Sequence, residues 1–240
     1  MLPLPTSIQP CPVVEALLEI RFTTNIPDEA VFGVLYPDLS GEFPKVESLP
    51  VLQLPPQIRD VNPELRFQAT HRLRAEKYVV SLGPKVFGVA ILNPYPGWTE
   101  FRRKLVSTTQ VLIQKALIKQ AHRFGLRYIS VFDGDVTRRL TVETKLGNTR
   151  VEGRETFFRT LLERDSSEVL LQVAKDQTVK RPPDFSKNGT MIDIDVSRAS
   201  SDRPTLHDIE TFIDAAHLTA KTLFYELLNP DFLKELKPVY

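Results

Sequence analysis

Residues 76–101, EKYVVSLGPKVFGVAILNPYPGWTEF, decide the fold class. Two runs rich in β-favouring residues flank Gly83-Pro84, where a chain can reverse tightly. Asn93-Pro94-Tyr95-Pro96-Gly97 then breaks the pattern, and Trp98 opens a helical one. A meander that gives way to a long helix implies an antiparallel sheet with segregated helices rather than alternating βα units. The apolar spacing predicts a helix over 98–124, with Gly125 at its C-cap position.

Working towards the N-terminus, Val14 to Phe22 reads as a strand, because Ala16, Leu18, Ile20 and Phe22 share one face at period two. Pro27, Asp28 and Glu29 open a short helix through Tyr36. Eleven of the nineteen prolines precede residue 64, so the segment from Pro37 to Pro63 reads as a surface excursion carrying a short edge strand.

Towards the C-terminus the same order recurs. LRYISVFDGDV (126–136) reads as a strand, VEGRETFFRTLLER (151–164) as a short helix, and SEVLLQVAKD (167–176) and GTMIDIDVSR (189–198) as strands. Pro204, Thr205 and Asp208 carry a capping-box-like spacing before a helix over 206–228. The expectation is an α+β fold of two similar β-α-β-β-β-α halves, residues 1–125 and 126–240, with antiparallel sheets each covered by a long C-terminal helix. Repetition of element order fits either two domains or one continuous domain made by duplication.

Each long helix carries a stripe suited to covering a sheet, and each also has apolar residues outside that stripe. Val111 and Ile118 on the first, and Leu218 and Tyr225 on the second, are left over and become candidate partner-binding residues.

Composition bounds the function. A hydrophobic fraction of 42% with 25% charged residues is ordinary for a soluble globular protein. Thirty-one basic against thirty acidic residues leave a net charge of +1, which supplies no long-range field to gather phosphate. Cys11 is the only cysteine, so no internal disulfide or Cys-rich zinc site can form, and a reducing cytoplasm fits. Prolines at 3, 5, 10 and 12 break any signal-peptide helix, and no apolar run reaches bilayer length. A cytoplasmic protein outside the membrane is expected.

Catalytic signatures do not emerge. The ten glycines form no phosphate-cradling loop, there is no nucleophile elbow, and no cofactor is expected. Asp193 and Asp195 share one face of a strand and read as its solvated side. On the last helix His207, Glu210, Asp214 and His217 form one polar stripe whose one-turn spacing could chelate a divalent cation, but no second helix brings a complementary pair, so an exposed face of charge pairs is the expectation and no metal site is assigned. Lys104, Lys115, Lys119 and Arg123 make the predicted helix over 98–124 basic, the nucleic-acid candidate of this chain.

Several strings resemble those of a sporadically distributed prokaryotic family of proteins of about 250 residues with no assigned function. They are PVVEALLEIRF (12–22), SLGPKVFGVAILNPYPGWTEF (81–101), FGLRYISVF (124–132) and IDIDV (192–196). Where that family reads RYxNR, Ser130 and Val131 replace the Asn-Arg, so no role of those side chains is carried over. The resemblance implies an α+β cytosolic protein whose genes are distributed as those of defence or mobile elements are, and it brings no catalytic residues.

The expectation is a non-enzymatic cytosolic protein that binds a protein partner and self-associates. An RNA- or DNA-binding module using the sheet and the basic helix over 98–124 is the alternative, and a divalent-metal-dependent enzyme the second alternative.

Overall fold

The computed structural model describes residues 3–92, 94–143, 145–150, 157–181 and 185–240. In chain order these form β1 (Val13–Thr24), α1 (Ala30–Ser40), β2 (Lys45–Ser48), α2 (Pro56–Val61), β3 (His71–Arg74), β4 (Tyr78–Gly83), β5 (Val86–Leu92) and α3 (Trp98–Gln114). There follow β6 (Ile118–Asp133), β7 (Lys145–Leu146), β8 (Thr149–Arg150), β9 (Phe157–Arg164), β10 (Ser167–Arg181), β11 (Phe185–Ala199), α4 (Leu206–Leu227) and α5 (Pro230–Glu235). The protein is mixed α+β with a large antiparallel sheet, nine strands in the order β2-β3-β4-β5-β1-β6-β11-β10-β9, and a separate β7-β8 hairpin. No helix of the described residues is long and apolar enough to cross a membrane.

The chain divides into two compact units. One comprises residues 16–126 and 197–215. Its core follows from period-two patterning: Ala16, Leu18, Ile20 and Phe22 of β1 are all fully buried, as the sequence predicts. The meander also forms as expected, with Gly83 opposite Val86. Gly83 is required there because a Cβ would lie 2.6 Å from the Gln68 carbonyl oxygen. The Pro-rich excursion carries β2, whose four residues are all exposed.

This unit holds the main departure from the sequence expectation. The helix from Trp98 stops at Gln114, where Ala116 takes a left-handed conformation (φ 54°), and residues 118–124 belong to β6. Extended pairing replaces helix here because the backbone meets a partner segment: Ala121 N–H donates to the Asp202 carbonyl at 2.9 Å, and Ser200 N–H donates to His122 at 3.1 Å. Ile118 is consequently a strand residue, only 3% exposed, and no part of an outer helix face. Lys119 and Arg123 likewise leave the basic helix for the strand. The start of α4 is as predicted: Thr205 N–H donates to Asp208 Oδ2 (2.8 Å) and Asp208 N–H donates to Thr205 Oγ1 (3.2 Å), a reciprocal capping box.

The other unit comprises residues 1–15, 127–196 and 216–240. Its ends meet, Val239 N–H donating to Ser7 at 2.9 Å. Phe132 stacks with Phe224 of α4 and tilts against Phe232 of α5. Val14, Ile129 and Val131 form a second buried cluster, with Val179 and Met191 packed against it. Residues 157–164, predicted as helix, are the strand β9, and residues 151–156 of that predicted helix lie outside the described residues. The helix expected between the first two strands of the second half is therefore replaced over 157–164 by sheet.

Candidate functional site: the β9 edge and the charged row beside it

Asp165 and Ser166 both take positive φ (49° and 60°), the geometry of a two-residue hairpin turn that matches the twist of its strands. That turn fixes the register of β9 and β10: Arg164 faces Ser167, Glu163 faces Glu168, Leu161 faces Leu170, Arg159 faces Gln172 and Phe157 faces Ala174. Directly opposed residues share a face, so Phe157, Arg159, Leu161 and Glu163 line one side of the sheet. All four are exposed, while the alternate residues Phe158, Thr160, Leu162 and Arg164 are half-buried. Phe157 and Leu161 remain 63% and 59% accessible, large for apolar side chains of a regular strand. β9 ends the sheet order, so among the described residues its outer side pairs with no strand.

A polar row continues inward on the same face. Gln172 Nε2 donates to Asp193 Oδ2 at 2.9 Å, and Arg127 grips Asp193 through Nε to Oδ1 (2.8 Å) and Nη2 to Oδ2 (2.5 Å). The Asp193 side chain is 1% exposed, whereas that of Arg127 is 40% exposed. A carboxylate can be buried this deeply because a bidentate guanidinium and an amide satisfy it. The solvated-face expectation for Asp193 is thus corrected: alternation along β11 puts Asp193 opposite in face to Ile192 and Ile194, yet both faces are covered at this point.

The sequence candidates are dispersed. Glu210 and Asp214 of α4 both receive Arg102 of α3, bidentate on Asp214 at 2.7 and 2.8 Å and at 3.4 Å on Glu210. His207 is exposed, and His217 shares a 3.0 Å hydrogen bond between Nδ1 and the Tyr128 hydroxyl. The carboxylates of the polar stripe therefore already hold a cation, and no group of three His, Cys, Asp or Glu residues fit to hold a metal occurs among the described residues.

The basic set is also largely engaged. Lys104 pairs with Glu42 and sits 4.9 Å over the Phe43 ring, and burial pulls its pKa below the ordinary lysine value. Lys115 pairs with Asp38 at 2.5 Å and Arg123 with Glu19 at 3.2 Å, while Lys119 is exposed. Of the partner candidates, Leu218 is 58% exposed, Val111 and Tyr225 are half-buried, and Ile118 is withdrawn into the sheet. Burial, with Cys11 and Tyr240 adding to it, pushes the Tyr225 hydroxyl up to about 12.

A cavity of about 200 Å³ lies in the unit of residues 16–126. His71 stacks on Phe32 at 4.0 Å and bonds Thr70 Oγ1 through Nδ1 (3.0 Å), and burial lowers its pKa. Lys85 reaches Asp28 (3.1 Å) and Asp60; burial alone would lower its pKa, but those hydrogen bonds raise it overall. These residues come from segments up to 57 positions apart, since 85 minus 28 is 57, so no local motif could have announced them. The β9 edge was equally hidden, because its four-residue apolar spacing reads as helix. No protein-family model and no curated protein matches the sequence.

Proposed function

We propose that this is a non-enzymatic cytosolic protein, built of two similar halves by internal duplication, that binds a protein partner and self-associates through the β9 edge. The observation that carries this reading is the pair Phe157 and Leu161, exposed on a regular strand that ends the sheet. Sheet edges are ordinarily blunted by shortness, charge, proline or bulges, and an eight-residue edge with exposed apolar side chains is a template for another chain. The edge strand β2 illustrates the usual protection: it has four residues, begins with a lysine, and its Glu47 is paired with Arg74 at 3.0 Å.

Duplication is supported by the strand order, which runs inward as β3-β4-β5-β1 from one end and β9-β10-β11-β6 from the other. A long helix follows each series in the chain, α3 after β5 and α4 after β11, consistent with helices serving as covers for their strands. A reducing cytoplasm suits a chain whose one cysteine, Cys11, is exposed and can close no internal bridge.

The test is a Phe157→Asp, Leu161→Lys double variant, followed by light scattering and by affinity capture from extracts of the native cell. It should keep the wild-type unfolding free energy from urea denaturation within about 1 kcal/mol, since both side chains are exposed, and lose association. A folded double variant that still self-associates and captures the same proteins as the wild type would sink the proposal.

A further inference from the structure

We infer that the occupant of the β9 edge is the β9 edge of a second copy, paired antiparallel about a two-fold axis at Leu161. This rests on the reading of β9 as an interaction edge and adds a partner and a register to it.

The register follows from hydrogen-bond geometry. A two-residue turn is closed by a hydrogen-bonded pair, here Arg164 with Ser167, and bonding then alternates along the strand. Arg164, Leu162, Thr160 and Phe158 therefore spend their backbone groups on β10. Glu163, Leu161, Arg159 and Phe157 direct theirs outward, where among the described residues no strand receives them. A two-fold axis perpendicular to the sheet keeps each side chain on its own face, so only registers that pair odd with odd positions are allowed. Placing the axis at Leu161 sets Leu161 against its own copy and Arg159 against Glu163 of the other copy, twice by symmetry. Shifting the axis to Thr160 sets Arg159 against Leu161, and shifting it to Leu162 sets Leu161 against Glu163, so both lose the charge match.

The free strand carries a defect that this register repairs. Glu163 lies directly opposite Glu168 of β10, a like-charge cross-strand pair that costs stability. Among the described residues neither Arg159 nor Glu163 makes an ion pair. In the paired edge the second copy's Arg159 arrives on the open side of Glu163 and compensates the repulsion, while the two Leu161 side chains cover one another. A net charge of +1 puts little overall repulsion between copies.

Charge exchange tests the register. Light scattering of the wild type at tens of micromolar should give twice the 27.3 kDa chain mass. Arg159→Glu and Glu163→Arg should each weaken the dimer by about tenfold, as two facing pairs become repulsive. An equimolar mixture of the two variants should recover wild-type affinity, because every facing pair is again attractive. Glu163→Arg should also raise the monomer's urea midpoint by relieving Glu168, which separates weak association from poor folding. Leu161→Cys in a Cys11→Ser background should form a covalent dimer when oxidised glutathione is added as the electron acceptor, the facing Cα atoms being about 5.5 Å apart.

A wild type that stays at 27.3 kDa at every concentration, or a mixture no tighter than either variant alone, overturns the inference. If the protein is monomeric yet loses a captured partner with Leu161→Lys, the edge reading stands and the second copy is wrong. If it is a dimer untouched by Phe157→Asp, Leu161→Lys, the edge reading itself fails.

Discussion

Arg127 and Asp193 form a two-pronged ion pair across neighbouring strands β6 and β11, with the carboxylate 1% exposed and the guanidinium partly in water. The asymmetry sets the energetics. Removing the arginine strands a desolvated charge with, among the described residues, only Gln172 to satisfy it, whereas removing both charges leaves an apolar contact. Arg127→Met should therefore destabilise by about 2–4 kcal/mol, and Arg127→Met with Asp193→Leu should cost less than that single change. Urea denaturation of the wild type, Arg127→Met, Asp193→Leu and the double variant measures the coupling. Strictly additive losses would show that the pair is not a unit.

The turn at Asp165 and Ser166 uses two left-handed residues without a glycine, so it carries conformational strain. Replacing the pair with Asn-Gly should stabilise the protein by about 0.5–1 kcal/mol, while Ser166→Val should destabilise it. The Asp165 side chain also accepts from Thr219 Oγ1 at 3.3 Å, a contact that asparagine keeps. A urea midpoint lowered by Asn-Gly would contradict the turn assignment.

His71 provides a pH signature. Burial beneath Phe32 lowers its folded pKa from the ordinary 6.5. The unfolded chain then binds more protons below that value, so the stability contributed by neutral His71 is present above pH 6.5 and is lost as pH falls towards the folded pKa. An imidazole titration followed by NMR should give a midpoint below 6.5, and His71→Gln should flatten the decline of the urea midpoint between about pH 7 and pH 5. A folded midpoint at or above 6.5 rules this out.

Much of the fold was legible residue by residue. The stripe of β1, the meander from Tyr78 to Leu92, the break at Gly97 and the capping box of Thr205 and Asp208 all rest on interactions within a few residues, and all appear where the sequence puts them. The charged candidates were legible as residue types but not as pairs. Nothing local says that Arg102 will meet Asp214, or that Lys104 will lie over Phe43, because those partners are 112 and 61 positions away, 214 minus 102 and 104 minus 43.

The sequence by itself determined which residues are apolar anchors and where the chain must turn. Phe124 is buried, as the predicted helical stripe would require, and Ile118 is buried although that stripe left it outside, yet both are buried from a strand. In residues 157–162 the apolar pairs Phe157 with Leu161 and Phe158 with Leu162 are four apart, a spacing that keeps two side chains together on one turn of helix and equally on one face of a strand. Only tertiary structure could choose, since backbone groups in both segments needed hydrogen-bond partners: residues 199–202 for the first and β10 for the second. That choice removed Ile118 from the surface and left Phe157 and Leu161 upon it.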